Sequence, residues 1–372
     1  MRKSAQRLWL VTALVVGVIA APVGGSAVDR RSEQALPNGP ARPTLDSTPP
    51  AIKLPGVPGV SLAPPRPNPL RVPGKIRLLV VAPHPDDETL GAGGLMQRVI
   101  ALGGTVRVVF VTNGDGFRSA VVAENKHVKV SGRDFRAYGE RRHHEALRAV
   151  EVLGGKQIGS TFFGFPDDGI DDLWSDNWPE SRPYRSPFTE SDRPPYEESP
   201  RQGIEYSGVD LKRELRDLLR DFVPDWVAIP DPRDRHPDHC TTGGFVLDAL
   251  RELREAQIAP FTHTEVLTYL VHYPEYPGNP LWQVAVNRAG IGGSSAGHES
   301  LSHTAWLRLD LTPDEVAHKR DALGRYRSQV QAMDRFLGLF VRSDEVFGHL
   351  NGSQISTLPI EYARRWRPHR AP

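Results

Sequence analysis

Hydrophobic residues fall in short, nearly continuous runs along this chain, and amphipathic stretches separate the runs. Runs of this length are typical of strands covered on both faces of a sheet. We predict strands at residues 76–82, 105–112, 161–165, 225–229, 265–272 and 306–311. We predict helices at 95–102, 141–153, 211–222 and, after a capping-box pattern at 312–315, up to about residue 337. The alternation predicts a doubly wound α/β fold, with a mostly parallel sheet and helices on both faces.

The N-terminal segment departs from this pattern. Residues 1–27 begin with basic side chains, continue with an apolar stretch at 8–21 and end in small residues, as a secretory signal peptide does. A membrane anchor is the alternative, but this apolar stretch is short for a bilayer span of about 20 residues. We therefore expect a cleaved signal peptide, a secreted or extracytoplasmic protein, and no stable membrane insertion after cleavage.

A proline-rich segment separates the N-terminal segment from the folded domain. Twelve of the 34 prolines lie between Pro37 and Pro73, and such a segment cannot bury enough apolar area to offset its ordering entropy. We predict a linker over residues 28–74, a folded domain over 75–350 that carries an insertion loop at 167–202, and a C-terminal tail over 351–372.

Composition narrows the possible partners. Charged residues make up 24% of the chain and the formal net charge is +1, so nothing in the charge balance indicates nucleic acid as a partner. The single cysteine, Cys240, has no second cysteine in this sequence to pair with. The composition is that of a globular protein whose stability depends on its core and, as the motifs below indicate, on a metal. It does not indicate an oligomeric state.

Two polar clusters follow predicted strands at the point where each strand ends. The first is Pro83-His84-Pro85-Asp86-Asp87-Glu88, after the strand at 76–82. The second occupies residues 230–239, after the strand at 225–229, and contains His236-Pro237-Asp238-His239. Ligands bind beyond the carboxyl ends of the strands in such sheets. Carboxylates and imidazoles are ligands that zinc accepts, and a cation would offset the repulsion between the carboxylates. The pair of clusters therefore predicts a metal site with further Asp and His side chains free for acid–base chemistry.

These two motifs resemble those of the PIG-L/LmbE-like N-acetylglucosaminyl deacetylases. The resemblance runs from about residue 76 to about residue 350. It also includes residues 112–115, 142–147, 164–169, Lys319, Ala322, Tyr326, Ser328, Gln329 and 340–342. It implies a Rossmann-like fold, hydrolysis of an N-acetyl group and one zinc ion (Zn2+) per chain. Carried onto this sequence, the zinc ligands are His84, Asp87 and His239.

The same resemblance implies roles for five further residues. Asp86 matches the general base. His236 matches the group that stabilises the oxyanion or protonates the leaving amine, and Asp238 is expected to orient His236. Arg142 and Asp167 match positions that contact the sugar in relatives.

Three departures from the family pattern affect these expectations. Asp234 stands where some relatives carry a tyrosine that assists at the oxyanion, so that task rests on the metal and His236. His143 and His144 stand where relatives often carry Arg or Glu. Aromatic residues of the enlarged insertion are candidates for stacking on sugar rings, but packing against the domain is the favoured interpretation. His272 is a candidate for the pocket or the core.

We therefore expect a secreted, zinc-dependent deacetylase that releases acetate from an N-acetylglucosamine-type sugar or glycoconjugate. Two alternatives remain open. One is an amidase that uses the same zinc site on a non-sugar or conjugated amide, and the other is an inactive carbohydrate-binding relative. The presence of all the proposed ligands and the base argues against the inactive relative. The sugar and its aglycone cannot be named, because specificity lies in loops whose shape the sequence does not give.

Overall fold

The computed structural model of the chain describes residues 67–126, 128–200, 202–273 and 304–358. The predicted signal peptide (1–27), residues 28–66 of the predicted linker and residues 359–372 of the predicted tail lie outside these ranges. In the described ranges no helix is both long enough and apolar enough to cross a bilayer.

One sheet runs through the described residues and is mostly parallel, as predicted. Its strands are β1 (Asn68–Pro69), β2 (Arg77–Ala82), β3 (Thr105–Thr112), β4 (Ile158–Phe165), β5 (Trp226–Pro230), β6 (Glu265–Tyr269), β7 (Ala305–Asp310) and β8 (Asp344–Leu350). Their spatial order is β1-β7-β8-β6-β5-β2-β3-β4. β2 pairs in parallel with β3 on one side and with β5 on the other. After β2, the strands β3 and β4 are added on one side of it, and β5 is then added on its other side. Open α/β sheets bind ligands at such a switch in strand order, here between β2 and β5.

Helices cover both faces of this sheet, as predicted. They are α1 (Asp87–Ala101), α2 (Arg118–Asn125), α3 (Gly132–Gly154), α4 (Ile170–Trp174), α5 (Gly208–Phe222), α6 (Pro237–Glu255), α7 (Ala259–Thr262), α8 (Pro313–Leu323) and α9 (Arg327–Gly338). Leu78 and Val80 of β2 pack into a core with α1, α3 and α8. Leu79 and Val81 pack into a second core with α5 and α6. Because both faces of β2 are buried, its sequence is apolar without alternation.

Several elements differ from the prediction: the short helices α2, α4 and α7 were not predicted, and two further differences lie near the C-terminal end of the described residues. The helix predicted to continue to about residue 337 is divided into α8 and α9 at Gly324–Tyr326, where the Tyr326 side chain turns into the core and is fully buried. β8 is an additional strand, antiparallel to both β6 and β7. Its charged and glycine positions hide the strand pattern in the sequence, because Glu345 is buried among backbone donors.

Several boundaries also differ. α1 begins at Asp87 and not near residue 95, so the polar motif itself forms the first helical turn. β6 ends at Tyr269, because the Asp234 carboxylate accepts the next free backbone N–H groups, those of Val271 and His272. β1 lies inside the range predicted as linker, where it pairs in parallel with β7.

Candidate metal centre

Two loops bring a histidine, an aspartate and a second histidine together at the switch point between β2 and β5. His84 follows β2, Asp87 is the first residue of α1, and His239 lies in the first turn of α6. His84 Nδ1 lies 3.1 Å from Asp87 Oδ2. His239 Nε2 lies 3.2 Å from the same oxygen and 3.3 Å from His84 Nδ1. All three side chains are buried.

This spacing fits a small tetrahedral cation. Ligand atoms about 2.0–2.1 Å from a tetrahedral metal stand about 3.3 Å from one another, which the three measured separations approach. The same three residues form a group that can hold a metal ion. His84, His236 and Asp238 form a second such group. We favour the first, because it leaves the other ring nitrogen of His84 to the supporting carboxylates, as metal-binding histidines require.

His84 is oriented by carboxylates on its far side. His84 Nε2 lies 3.2 Å from Asp167 Oδ1 and 3.2 Å from Asp238 Oδ2. With its proton on Nε2, the ring presents the lone pair of Nδ1 to the metal position. Burial alone lowers the pKa of His84, but Asp167, Asp238 and Asp87 outweigh burial and raise the pKa well above its ordinary value. His84 Nδ1 would hold a metal in place of the second proton.

A carboxylate also lies near His239, at a distance too long for a hydrogen bond. Asp234 Oδ2 lies 3.8 Å from His239 Nδ1, and both side chains are buried. Asp234 also accepts hydrogen bonds from the backbone N–H groups of His236, Val271 and His272. The residue that replaces the tyrosine of some relatives therefore fixes the loop after β5 to the end of β6.

Asp86 is buried beside the metal group and is not a member of either possible ligand set in the described residues. Its Oδ2 lies 3.4 Å from Arg142 Nη2. Its backbone has φ 130° and ψ −28°, a conformation that favours glycine. Burial raises the pKa of Asp86 to about 8, and Asp87 adds to the rise, while Arg142 acts against it. Arg142 is thus the larger of two charges that favour the ionised form of Asp86, and His84 is the other.

The Asp238 carboxylate forms no hydrogen bond with His236, although it was predicted to orient that ring. His236 is the N-cap of α6, and its Nδ1 accepts the backbone N–H of Asp238 at 3.2 Å. The Asp238 carboxylate instead accepts the backbone N–H groups of Asp168 and Ile170 and lies against His84 Nε2. Burial lowers the pKa of His236 well below its ordinary value, and the neighbouring imidazoles of His84, His239 and His272 add to this. The His236 ring is therefore neutral and carries its proton on Nε2.

The two residues predicted to contact the sugar are both buried at the edge of the site. Arg142 donates from Nη1 to Gly114 O at 2.9 Å and from Nη2 to Pro85 O at 2.6 Å. Asp167 accepts the Gly116 N–H at 2.5 Å while its other oxygen faces His84. In this arrangement both side chains join the loop after β3 to the metal group.

Three further side chains close to the metal group were not among the predicted site residues. Asp234 lies 3.8 Å from His239, Glu88 accepts the Asp86 N–H at 3.2 Å, and the ring of His272 lies 4.8 Å from that of His239 and 5.1 Å from that of His236. The signal for Glu88 was its place in the motif, but only the fold shows what its side chain contacts.

The insertion packs on the domain, as favoured. Trp174, Phe188 and Tyr196 are buried, and Trp174 packs edge-on against Phe245 of α6. The Tyr196 hydroxyl donates a hydrogen bond to Asp115, at the end of the β3 loop. The insertion therefore forms part of the wall of the site.

Comparison with known proteins identifies the class. The family model described as GlcNAc-PI de-N-acetylase, PIG-L, matches residues 79–250. Residues 79–250 are thus similar to this family, which confirms over this part of the chain the resemblance inferred from the motifs.

The relatives are deacetylases. Over 165 residues the chain is 29% identical to a 1D-myo-inositol 2-acetamido-2-deoxy-alpha-D-glucopyranoside deacetylase of Corynebacterium glutamicum. The aligned region covers 44% of this chain and 49% of that protein. Over 212 residues it is 24% identical to a diacetylchitobiose deacetylase of Thermococcus kodakarensis, which covers 54% of this chain and 62% of that protein. The chain thus spans about half the length of the first of these relatives and less than two thirds of the second.

A solved structure resembles the same region. The N,N'-diacetylchitobiose deacetylase of Pyrococcus horikoshii is 20% identical to this chain, with a TM-score of 0.45. The superposed region covers 75% of this chain and 85% of that deacetylase.

Proposed function

We propose that this protein is a zinc-dependent hydrolase that removes the N-acetyl group from an N-acetylglucosamine-type sugar or glycoconjugate and releases acetate. The observation that carries the proposal is the buried group of His84, Asp87 and His239, whose ligand atoms lie 3.1–3.3 Å apart beside a carboxylate outside the group. Three protein ligands with a fourth position open are typical of catalytic zinc.

The donor set supports zinc as the metal. Two imidazole nitrogens and one carboxylate oxygen suit zinc better than magnesium or calcium, which favour oxygen ligands alone. When bound, zinc lowers the pKa of a coordinated water to about 7 and polarises a carbonyl.

Asp86 is the general base of this proposal. Amide hydrolysis requires that the attacking water lose a proton, and a carboxylate outside the ligand group is available for it. The backbone of Asp86 sends its side chain towards Arg142, while the adjacent Asp87 turns towards His84 and His239. The two neighbouring carboxylates therefore have different roles: Asp86 is the base and Asp87 is a metal ligand.

His236 stabilises the negative charge that develops on the amide oxygen. Because Nδ1 already accepts a backbone hydrogen bond, the neutral ring offers Nε2–H as a donor. A donor fixed in a water-poor site stabilises an oxyanion more than one in water does. This arrangement supports oxyanion stabilisation by His236 over protonation of the leaving amine.

The substrate class rests on the relatives. Both curated relatives are deacetylases of compounds that contain N-acetylglucosamine. The basic, apolar and small-residue order of residues 1–27 supports a location outside the cytoplasm.

The test is acetate release from N-acetylglucosamine, its oligomers and its glycosides, with and without a chelator. We expect release that the chelator abolishes and added zinc restores. Absence of release from every sugar, in protein that holds one zinc per chain, would contradict the substrate class and direct the search to other amides.

Two variants test the division of roles. Asp86→Ala is expected to keep its zinc and to lose turnover by about 10²–10⁴-fold, because it removes the base but no ligand. His239→Ala is expected to lose the metal. Elemental analysis of both proteins beside the wild type checks this, and a full zinc complement in His239→Ala would contradict the ligand set.

A further inference from the structure

Glu88 is a buried carboxylate next to the metal ligand Asp87, yet it lies outside both possible ligand groups in the described residues. It is fully buried. Its Oε2 accepts the backbone N–H of Asp86 at 3.2 Å. Its Oε1 accepts hydrogen bonds from the hydroxyls of Thr89 and Tyr326. The contacts of Glu88 therefore lead to the backbone of the proposed base, and not to the metal position.

Tyr326 reaches Glu88 from a distant part of the chain. It is the N-cap residue of α9, 238 positions after Glu88, and it is fully buried. The turn between α8 and α9 brings its hydroxyl to the carboxylate. The residue was part of the family resemblance, but the proposed chemistry gives it no task.

The backbone of Asp86 needs support. Its φ of 130° is unfavourable for a residue with a side chain, and such conformations persist only where the surroundings hold them. The carbonyl of Asp86 accepts the N–H groups of Thr89 and Leu90 at the start of α1. The N–H of Asp86 is held by Glu88. Both sides of the strained residue are thus anchored, and the Glu88 anchor is in turn fixed by Tyr326.

We propose that Tyr326 and Glu88 are positioning residues that hold Asp86 in this conformation and so keep its carboxylate beside the metal group and outside it. The inference rests on the proposed function for its kinetic consequence. Misplacement of a catalytic group by about 1 Å costs about 10²-fold in rate. Loss of the Tyr326 hydroxyl should therefore reduce kcat and leave zinc binding and KM unchanged.

Tyr326→Phe is the principal variant, because it keeps the buried ring and removes only the hydroxyl. We expect kcat to fall by about 10–100-fold, within the range that such misplacement produces. Tyr138→Phe is the matched control. Tyr138 is equally buried and its hydroxyl accepts a hydrogen bond from Gln329 of α9, but it does not contact Glu88. We expect wild-type kcat from this control.

A double-mutant cycle separates positioning from general destabilisation. If Tyr326 acts through the Asp86 carboxylate, Tyr326→Phe should not lower the residual rate of Asp86→Ala any further. A residue with only a structural role would lower the rate in both backgrounds by the same factor, and that result would overturn the proposal. Glu88→Gln keeps an oxygen that can accept the Asp86 N–H, so it should retain more activity than Glu88→Ala.

Crystal structures of the zinc-loaded wild type and Tyr326→Phe make the test independent of the substrate. A change of Asp86 away from φ 130° in the variant supports the proposal, and an unchanged Asp86 overturns it. A wild type inactive on all acetamido sugars contradicts the proposed function alone. An active wild type with an equally active Tyr326→Phe contradicts this inference alone.

Discussion

The carboxylate of Asp238 joins His84, the first of the proposed metal ligands, to the loop that follows β4. It accepts the N–H groups of Asp168 at 2.7 Å and Ile170 at 3.2 Å, and it lies 3.2 Å from His84 Nε2. Asp238 is fully buried in the first turn of α6, where the helix dipole also favours a negative charge. One side chain therefore sets both the tautomer of His84 and the path of the loop.

Asp238→Asn should weaken zinc binding by about 10–100-fold, the usual effect of losing a carboxylate behind a metal-bound histidine. The amide cannot match the carboxylate as an acceptor for His84 and two backbone donors. Competition with a chromogenic chelator measures the affinity.

Asp171→Asn is the control for Asp238→Asn. Asp171 lies in the first turn of α4, directly after the loop that Asp238 contacts, and its charge acts on that of Asp238, but it is not a member of either possible ligand group in the described residues. Equal loss of affinity in both variants would show a general charge effect and contradict the specific role of Asp238.

At the scale of residues, the sequence predicted which side chains form the metal group but not all of their contacts. The two clusters that contain His84, Asp87 and His239 were predictable from residue type and place after a strand, whereas the choice of these three residues as ligands came from the family resemblance. The contact of Asp238 with His84 was not, because its direction depends on how α6 meets the loop after β4. The same holds for Glu88, whose partner Tyr326 lies 238 positions away.

Among the elements, α1 packs unusually closely against its neighbours. A side chain at Gly91 would come within 2.3 Å of the Tyr269 ring, and one at Gly94 within 2.3 Å of Leu311. Ala92 has non-helical φ/ψ, and the N–H groups of Gly94 and Leu95 donate to Glu345. The glycines here permit the close packing of α1 against its neighbours.

A buried ion pair between α8 and β8 also contacts α1. Lys319 of α8 donates to Glu345 at 2.6 Å and to Leu90 O at 2.9 Å, and both charged side chains are almost fully buried. Removal of one partner leaves an uncompensated charge in the core.

Lys319→Met should lower the free energy of unfolding by about 3–5 kcal/mol. Urea unfolding of the variant and the wild type measures the difference. Arg325→Met removes an exposed ion pair with Asp321 in the same region and should cost no more than about 1 kcal/mol. Similar losses in the two variants would contradict the importance of burial for this pair.

The elements that the sequence did not predict are those that tertiary contacts define. β8 places Glu345 against the middle of α1, at Gly94 and Leu95, so the residue is polar in the sequence although it is buried in the fold. The division between α8 and α9 depends on Tyr326 turning inward. Elements with strong periodicity, such as β3, were predicted to the residue because both faces of the strand meet apolar neighbours.

At the scale of the whole molecule, the proposed zinc links the loops that follow β2 and β5. An ion that binds only the folded chain, at 100 times its dissociation constant, adds about 2.7 kcal/mol to the free energy of unfolding. Removal of the metal with a chelator should therefore lower the melting temperature of the wild type, as measured by calorimetry. The melting temperature of His239→Ala should not respond to the chelator. An equal response in both proteins would place the stabilising ion elsewhere.

The doubly wound architecture was predictable because strands and helices alternate along the chain. The strand order was not, since the sequence does not state that β5 returns to the side of β2 opposite β3. The two polar clusters at the strand ends gave the clearest indication of the strand order, because residues that share a metal must follow strands that lie close together.

The pairing of β2 with β5 also bears on the order of events during folding. Leu78 aligns with Trp226, so nearly 150 residues of chain must be closed into a loop before the two strands meet. Until then the histidines at their ends remain far apart and offer the ion only isolated, weak ligands. Metal capture is then a late event, and a contact that forms after the transition state slows unfolding without speeding folding. The proposed zinc would thus prolong the lifetime of the native state more than it would shorten the time needed to reach it.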